Sequence, residues 1–157
     1  MSIELVTTGP SKEIIAVLES QGLPIKRKLD IDVMPFPKDI TAVDDQELML
    51  LARNYMENYN FMITQVACAE LAVVELESAL EFREAELLIT LSSDKTKATV
   101  VKASIAIDLD IVRMKKELML AEAYQKLLKT MQDNLERYYQ LTSRELTRRT
   151  SSMKSRF

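Results

Sequence analysis

The residues best suited to chemistry lie late in the chain. Arg137, Arg144, Arg148, Arg149, Lys154 and Arg156 stand in a stretch whose last part, Leu141 to Phe157, holds five basic residues against the single acid Glu145. Arg144 and Arg148 are four apart, on one face of any helix, and Arg137 falls two turns earlier on that side. Planar guanidinium forks match phosphate oxygens, and a cationic helix end with a basic tail suits a polyanion backbone. Tyr138, Tyr139 and Phe157 add rings that can stack on bases. The same pattern also describes cations placed at a helix C-terminus to complement its dipole, with the tyrosines in a core. Both readings stand open on sequence alone.

Other constellations are weaker. Asp30-x-Asp32 and Asp108-x-Asp110 have the form of metal-binding pairs, but no further ligands accompany them, and caps or polar positions explain them better. Glu70, Glu75, Glu77, Glu81, Glu84 and Glu86 read as a solvated helix face. Without a Glu-x-x-His they make no di-iron site. Cys68, beside Val66 and Ala69, reads as a buried small residue. Lys95, Lys97 and Lys102 read as a solvated turn.

Composition narrows the function classes. The 157 residues include one Cys, no His and no Trp. One chain can therefore build neither a disulfide nor the usual zinc, haem or His–carboxylate iron sites. It also lacks the side chain on which most acid–base and nucleophilic catalysis leans. No enzyme and no cofactor are expected, and the cysteine usage fits a reducing, cytoplasmic setting. No segment has the roughly 20 apolar residues of a membrane span, and the first residues carry no basic cluster of a targeting peptide. The net charge of −3 hides a gradient. Residues 1–93 hold 7 Lys/Arg against 16 Asp/Glu, and residues 94–157 hold 14 against 8. The acidic and basic parts either pair with each other or meet different partners.

The elements that position these residues follow from where the helix breakers fall. All four prolines and both glycines lie within the first 37 residues, so 120 residues are free of both. Two regions result: 1–43, a short helix and a Pro-containing strap, and 44–157, a long helical hairpin with a basic tail. In the first, Ser11 is expected to cap a helix over about 12–20 that Gly22 ends. Gly22 to Thr41 follows as an extended strap, with Leu29, Ile31 and Val33 at strand period. In the second, Asp44 and Glu47 form a capping box. A heptad seam then runs Leu48, Ala52, Tyr55, Tyr59, Met62, Val66, Ala69, Val73, Leu76, Leu80, Arg83 and Leu87. A helix from Asp45 to about Leu91 spans about 70 Å at 1.5 Å per residue.

Ser92 to Thr96 reads as the hairpin turn. Residues 100–111 alternate like a strand, yet their surroundings favour helix, with Asp110 as a cap. The second seam is expected at Ile107, Ile111, Met114, Leu118, Ala121, Tyr124, Leu128, Met131, Leu135 and Tyr138, with a stammer at 118–124. The fold class is thus all-α: an antiparallel long-helix hairpin with a short N-terminal helix and strap. Its apolar faces are too broad for one neighbour, so a homo-oligomer is expected.

Several stretches carry a resemblance: Pro37-Lys-Asp-Ile-Thr41, Ala79-Leu80-x-x-Arg83, Ile107-Asp-Leu-Asp-Ile111 and, most specifically, Ser143-Arg144 with the basic residues after it. Over roughly 37–149 the chain resembles the UvsY-like family of phage recombination mediators. The resemblance implies a ring-like homo-oligomer in the host cytoplasm that binds single-stranded DNA. It also implies partnership with a RecA-like recombinase and a single-strand-binding protein. By position, Arg83 keeps one member of the family's basic DNA-contacting pair, and Glu81 stands where the other is expected. DNA contacts are therefore expected mainly from Arg144, Arg148 and Arg149. The competing expectation is a helical virion assembly, scaffold or interaction protein that does not bind DNA.

Overall fold

The computed structural model describes residues 3–4, 6–7, 9–23, 25, 28–29, 32–92 and 98–154. Helix α1 spans Gly9–Ser20, α2 Asp45–Ser92, α3 Ala98–Ile107 and α4 Leu109–Lys154. The fold is all-α. The only sheet pairing among the described residues is a two-residue antiparallel bridge, Ile3 opposite Leu29 and Glu4 opposite Lys28.

Each helix end has a local cause. Helix α1 begins at Gly9, earlier than expected, so Ser11 sits inside its first turn, buried rather than capping. It stops in a Schellman motif, where Leu23 N–H donates to Leu18 O and Gly22 N–H to Glu19 O. Gly22 takes the left-handed φ of 79° that this stop requires. Helix α2 starts where the capping box placed it, with Glu47 N–H donating to Asp44 Oδ1 at 2.8 Å.

Residues 98–107 are helical, and a one-residue break separates α3 from α4. The cap at that break is Asp108, not Asp110. Its Oδ1 accepts from the N–H groups of Asp110 and Ile111 at 3.0 and 3.1 Å. Most of the expected turn (93–96), together with Asp30, Ile31, Lys95 and Lys97, lies outside the described residues.

Helices α2 and α4 run antiparallel and provide most of the tertiary packing. Ion pairs stitch their edges in order: Asp45 to Arg149, Glu70 to Lys129, Glu84 to Lys115, Asp110 to Arg83. Part of the acidic front and basic back therefore pair within the chain.

The seam on α2 lies as expected, each member buried or half-buried. The seam on α4 does so in part, with Ile111, Met114, Leu118, Ala121, Leu128, Leu135 and Tyr138 buried or half-buried. It keeps one strict heptad through Ile111, Met114, Leu118, Ala121, Gln125, Leu128, Gln132, Leu135, Tyr139, Thr142, Leu146 and Arg149, all buried or half-buried. There is no stammer. Tyr124 and Met131 are 42% and 51% exposed, and Ile107, in α3, is 77% exposed. Half-buried Gln125 and Gln132 occupy the places expected of Tyr124 and Met131.

The first half of α2 is buried on a second side as well, by the strap and α1. Asn54 holds the strap with both ends of its amide. Its Oδ1 accepts from Met34 N–H at 3.0 Å, and its Nδ2 donates to Asp32 O at 2.9 Å. Two residues on, Phe36 inserts against Tyr55 and Tyr138, with ring centroids 6.2 and 4.8 Å away. The main core gathers here: Leu51, Tyr55, Phe61, Met62, Val66 and Ala69 from α2, Leu128 and Leu135 from α4.

The far end of the hairpin, where α2 meets α3, has no such wrapping among the described residues. Phe82, Ile89, Ile107 and Leu109 are each at least 74% exposed. The accessible surface is 11176 Å². A compact monomer of 18.0 kDa exposes about 8000 Å².

Candidate nucleic-acid interface

The C-terminal arginines divide into three environments. Arg149 belongs to the fold. Its side chain is 16% exposed, because the α4 seam turns it onto the start of α2. Nε donates to Glu145 Oε1 at 2.8 Å. Nη1 donates to Val43 O and Asp45 Oδ1 at 2.8 and 2.7 Å. Nη2 donates to Ile40 O and Thr41 O at 3.3 and 3.0 Å. All five N–H donors of the guanidinium thus have acceptors, and none remains for a phosphate. Arg149 is an internal clasp between α4, the end of the strap and α2, an arrangement that lends no support to the expectation that it contacts DNA.

Arg148 is intermediate. It points outward, 63% exposed, but forms a bidentate pair with Glu145 through Nε and Nη2, both at 2.7 Å. Glu145 itself is 7% exposed and accepts from both arginines. Those hydrogen bonds, Arg148 first and Arg149 second, hold its carboxyl down at about 2. Inward-facing, Glu145 cancels much of the charge that the sequence places on this segment.

Arg137 and Arg144 are the third kind. Both are exposed on α4, and no ion pair engages either among the described residues. They lie seven residues apart, on one ridge and about 10 Å apart along the axis. Arg148 borders the same outward face. Lys154 closes α4 with its side chain outside the described set, and Arg156 and Phe157 lie outside it too.

Arg83 sits far from this ridge, toward the other end of the hairpin. Its guanidinium is half-buried between Glu86 Oε2 (2.6 Å) and Asp110 Oδ2 (3.5 Å). The structure therefore does not bring Arg83 together with Arg137 and Arg144. The tyrosines resolve in favour of the core. Tyr138 stacks on Phe36 and lies 5.4 Å from Tyr55, and Tyr139 packs against the same cluster.

No group of three or more acidic or Cys side chains that could hold a metal occurs among the described residues. Asp108 caps a helix and Asp110 faces Arg83 and Arg113. Cys68 is buried, and burial pushes its thiol up, away from reactivity. No described helix is long and apolar enough to cross a membrane. No family model, curated protein or solved structure matches the chain.

One feature escaped sequence reasoning altogether: the commitment of Arg149 to backbone carbonyls more than 100 residues away. Its only trace in the sequence is the heptad phase, which places Arg149 in line with Leu135 and Thr142.

Proposed function

We propose that this chain is a non-enzymatic, self-associating mediator of the UvsY-like kind. In this reading it binds single-stranded DNA through phosphate contacts and assists a RecA-like recombinase against single-strand-binding protein. The observation that carries the reading is the pair of uncompensated guanidinium groups, Arg137 and Arg144, on one outward ridge of α4, with Arg148 alongside. Two Arg forks one heptad apart, with no ion pair among the described residues, form a short cationic track. Such a track is satisfied by a repeating anion rather than by a single carboxylate. Also in support are the helical hairpin and its large uncovered surface, as the resemblance implies.

The test is a titration with a fluorescent oligonucleotide at two salt concentrations. R137A/R144A is expected to lower affinity at least tenfold at low salt. It should also flatten the salt dependence by about 1.4, or about 0.7 per lost contact on a single strand. Little sequence preference is expected. Equal affinity of parent and variant at matched oligomeric mass would overturn this assignment of the interface.

A second reading, a helical assembly or scaffold protein without DNA binding, is favoured by the bare apolar end at Phe82, Ile89, Ile107 and Leu109. It expects no oligonucleotide affinity for the parent chain at moderate salt and co-purification with a protein partner.

A further inference from the structure

The outward faces of α2 and α4 in the unwrapped half of the hairpin are not alike. On α2, Val74, Phe82, Ala85 and Ile89 are exposed along one side, with Glu75 and Glu81 among them. On α4, Met119, Leu120 and Leu127 are exposed at 57%, 57% and 64%, with Lys116 and Lys126 among them. Both faces repeat at helical spacing, so each is a continuous stripe. Lys115 and Lys129 are already paired with Glu84 and Glu70 inside the chain. No ion pair engages Glu75, Glu81, Lys116 or Lys126 among the described residues. The charges left over are therefore acidic on the α2 stripe and mainly basic on the α4 stripe, where Glu122 stands at the edge beside Lys126.

We propose that the α4 stripe of one copy docks on the α2 stripe of a second copy of this chain. Charge selects this pairing. Two α4 stripes face to face would set lysine against lysine, and two α2 stripes glutamate against glutamate, whereas α4 on α2 aligns opposite signs along matching apolar ridges. Area permits it. A standard interface buries about 800 Å² per partner, so two such contacts per copy take about 1600 Å². That is within the roughly 3000 Å² by which this surface exceeds that of a compact monomer. The contact is heterologous: each copy carries one of each stripe, and addition continues until the rotation closes or a fibre grows. The proposal rests on the self-association in the proposed function, but it uses surfaces other than Arg137 and Arg144, so it stands or falls apart from DNA binding.

The experiment is light-scattering mass on the full chain and three variants, with far-UV circular dichroism confirming helicity. The parent is expected at a multiple of 18.0 kDa. F82D/I89D, which spoils the α2 stripe, and L120D/L127D, which spoils the α4 stripe, are each expected as monomers. Mixed, they are expected to form a one-to-one pair, since each retains the face the other lacks. A chain with K116E/K126E is expected to dissociate at least tenfold more readily than the parent, and adding E75K/E81K to it should restore the parent mass. A monomeric parent, single-stripe variants that assemble like the parent, or a mixture that stays monomeric would each overturn the proposal. In the last two cases the oligonucleotide titration remains a separate measurement.

Discussion

Arg149 and Arg144 have the same side chain five residues apart, yet the structure gives them opposite work. The difference is helix phase: one lies in the seam against α2, the other on the ridge facing water. R149A should take one of two arginine partners from Glu145 and free the carbonyls of Ile40, Thr41 and Val43. It is expected to lower the thermal midpoint more than R144A or R148A does. R149K should not restore it, because an ammonium has three donors and no planar fork. Glu145 makes the same region acid-sensitive. Its carboxyl is held below its ordinary value of 4.5, at about 2, by the hydrogen bonds from Arg148 and Arg149. A depressed acid stabilises the fold fully above its unfolded value, and that contribution fades as pH falls from about 5 toward 2. Parent stability is therefore expected to drop over that window. E145Q should be less stable near neutrality and show a shallower drop, readable as urea midpoints against pH. Tyr55 is the reverse case. Its hydroxyl is buried with no hydrogen-bond partner among the described residues, and burial pushes its pKa up to about 12, making it a weaker acid. Y55F removes that unmet group while keeping the ring against Phe36, and is expected to leave stability unchanged or raise it by about 1 kcal/mol.

Element by element, the helices were legible where breakers and caps speak locally. Asp44 with Glu47 marked the start of α2 within one residue, and Gly22 marked the end of α1. The reading failed where two stripes compete. On α4, Tyr124 and Met131 are more apolar than Gln125 and Gln132, so hydropathy pulled the expected seam one position sideways and produced a spurious stammer. The true seam holds its seven-residue step, and glutamine stems are long enough to lie along it with their amides at the edge. Asp108 and Asp110 were confused for a related reason: either can cap, and only the break at 108 decides which does. D108A is expected to cost about 1 kcal/mol, read as a lower urea midpoint, whereas D110A loses only exposed pairs and should cost less. The stretch of strap at Asp32 and Met34, by contrast, is hydrogen-bonded to α2 through one buried amide. N54A removes both bonds to Asp32 and Met34 and is expected to cost about 2 kcal/mol. It should also speed proteolytic cleavage between residues 32 and 43 well before the helices are cut.

At the scale of the molecule, one end is wrapped and the other is bare. The core residues Leu51 to Ala69 and Leu128 to Leu135 lie beneath or beside the strap and α1, while Phe82, Ile89 and Leu109 face outward. Hydrogen exchange on a stripe-spoiled monomer is expected to show fast amides over 74–92 and 98–120 and slow ones over 51–69 and 128–142. In the assembled parent the first set should slow. The candidate site was only half legible at this scale. Sequence located a basic segment, but which arginines are spent inside depends on contacts that no local pattern records. The same clasp constrains how the chain is made. Arg149 bonds to Val43 across 106 residues, so on the ribosome α2 emerges in full, with α1 and the strap ahead of it, before α4 exists to close its seam. Its greasy flank must wait for α4, exposed to chaperones and to sibling chains on the same messenger, and the lock engages only once Arg149 has left the exit tunnel.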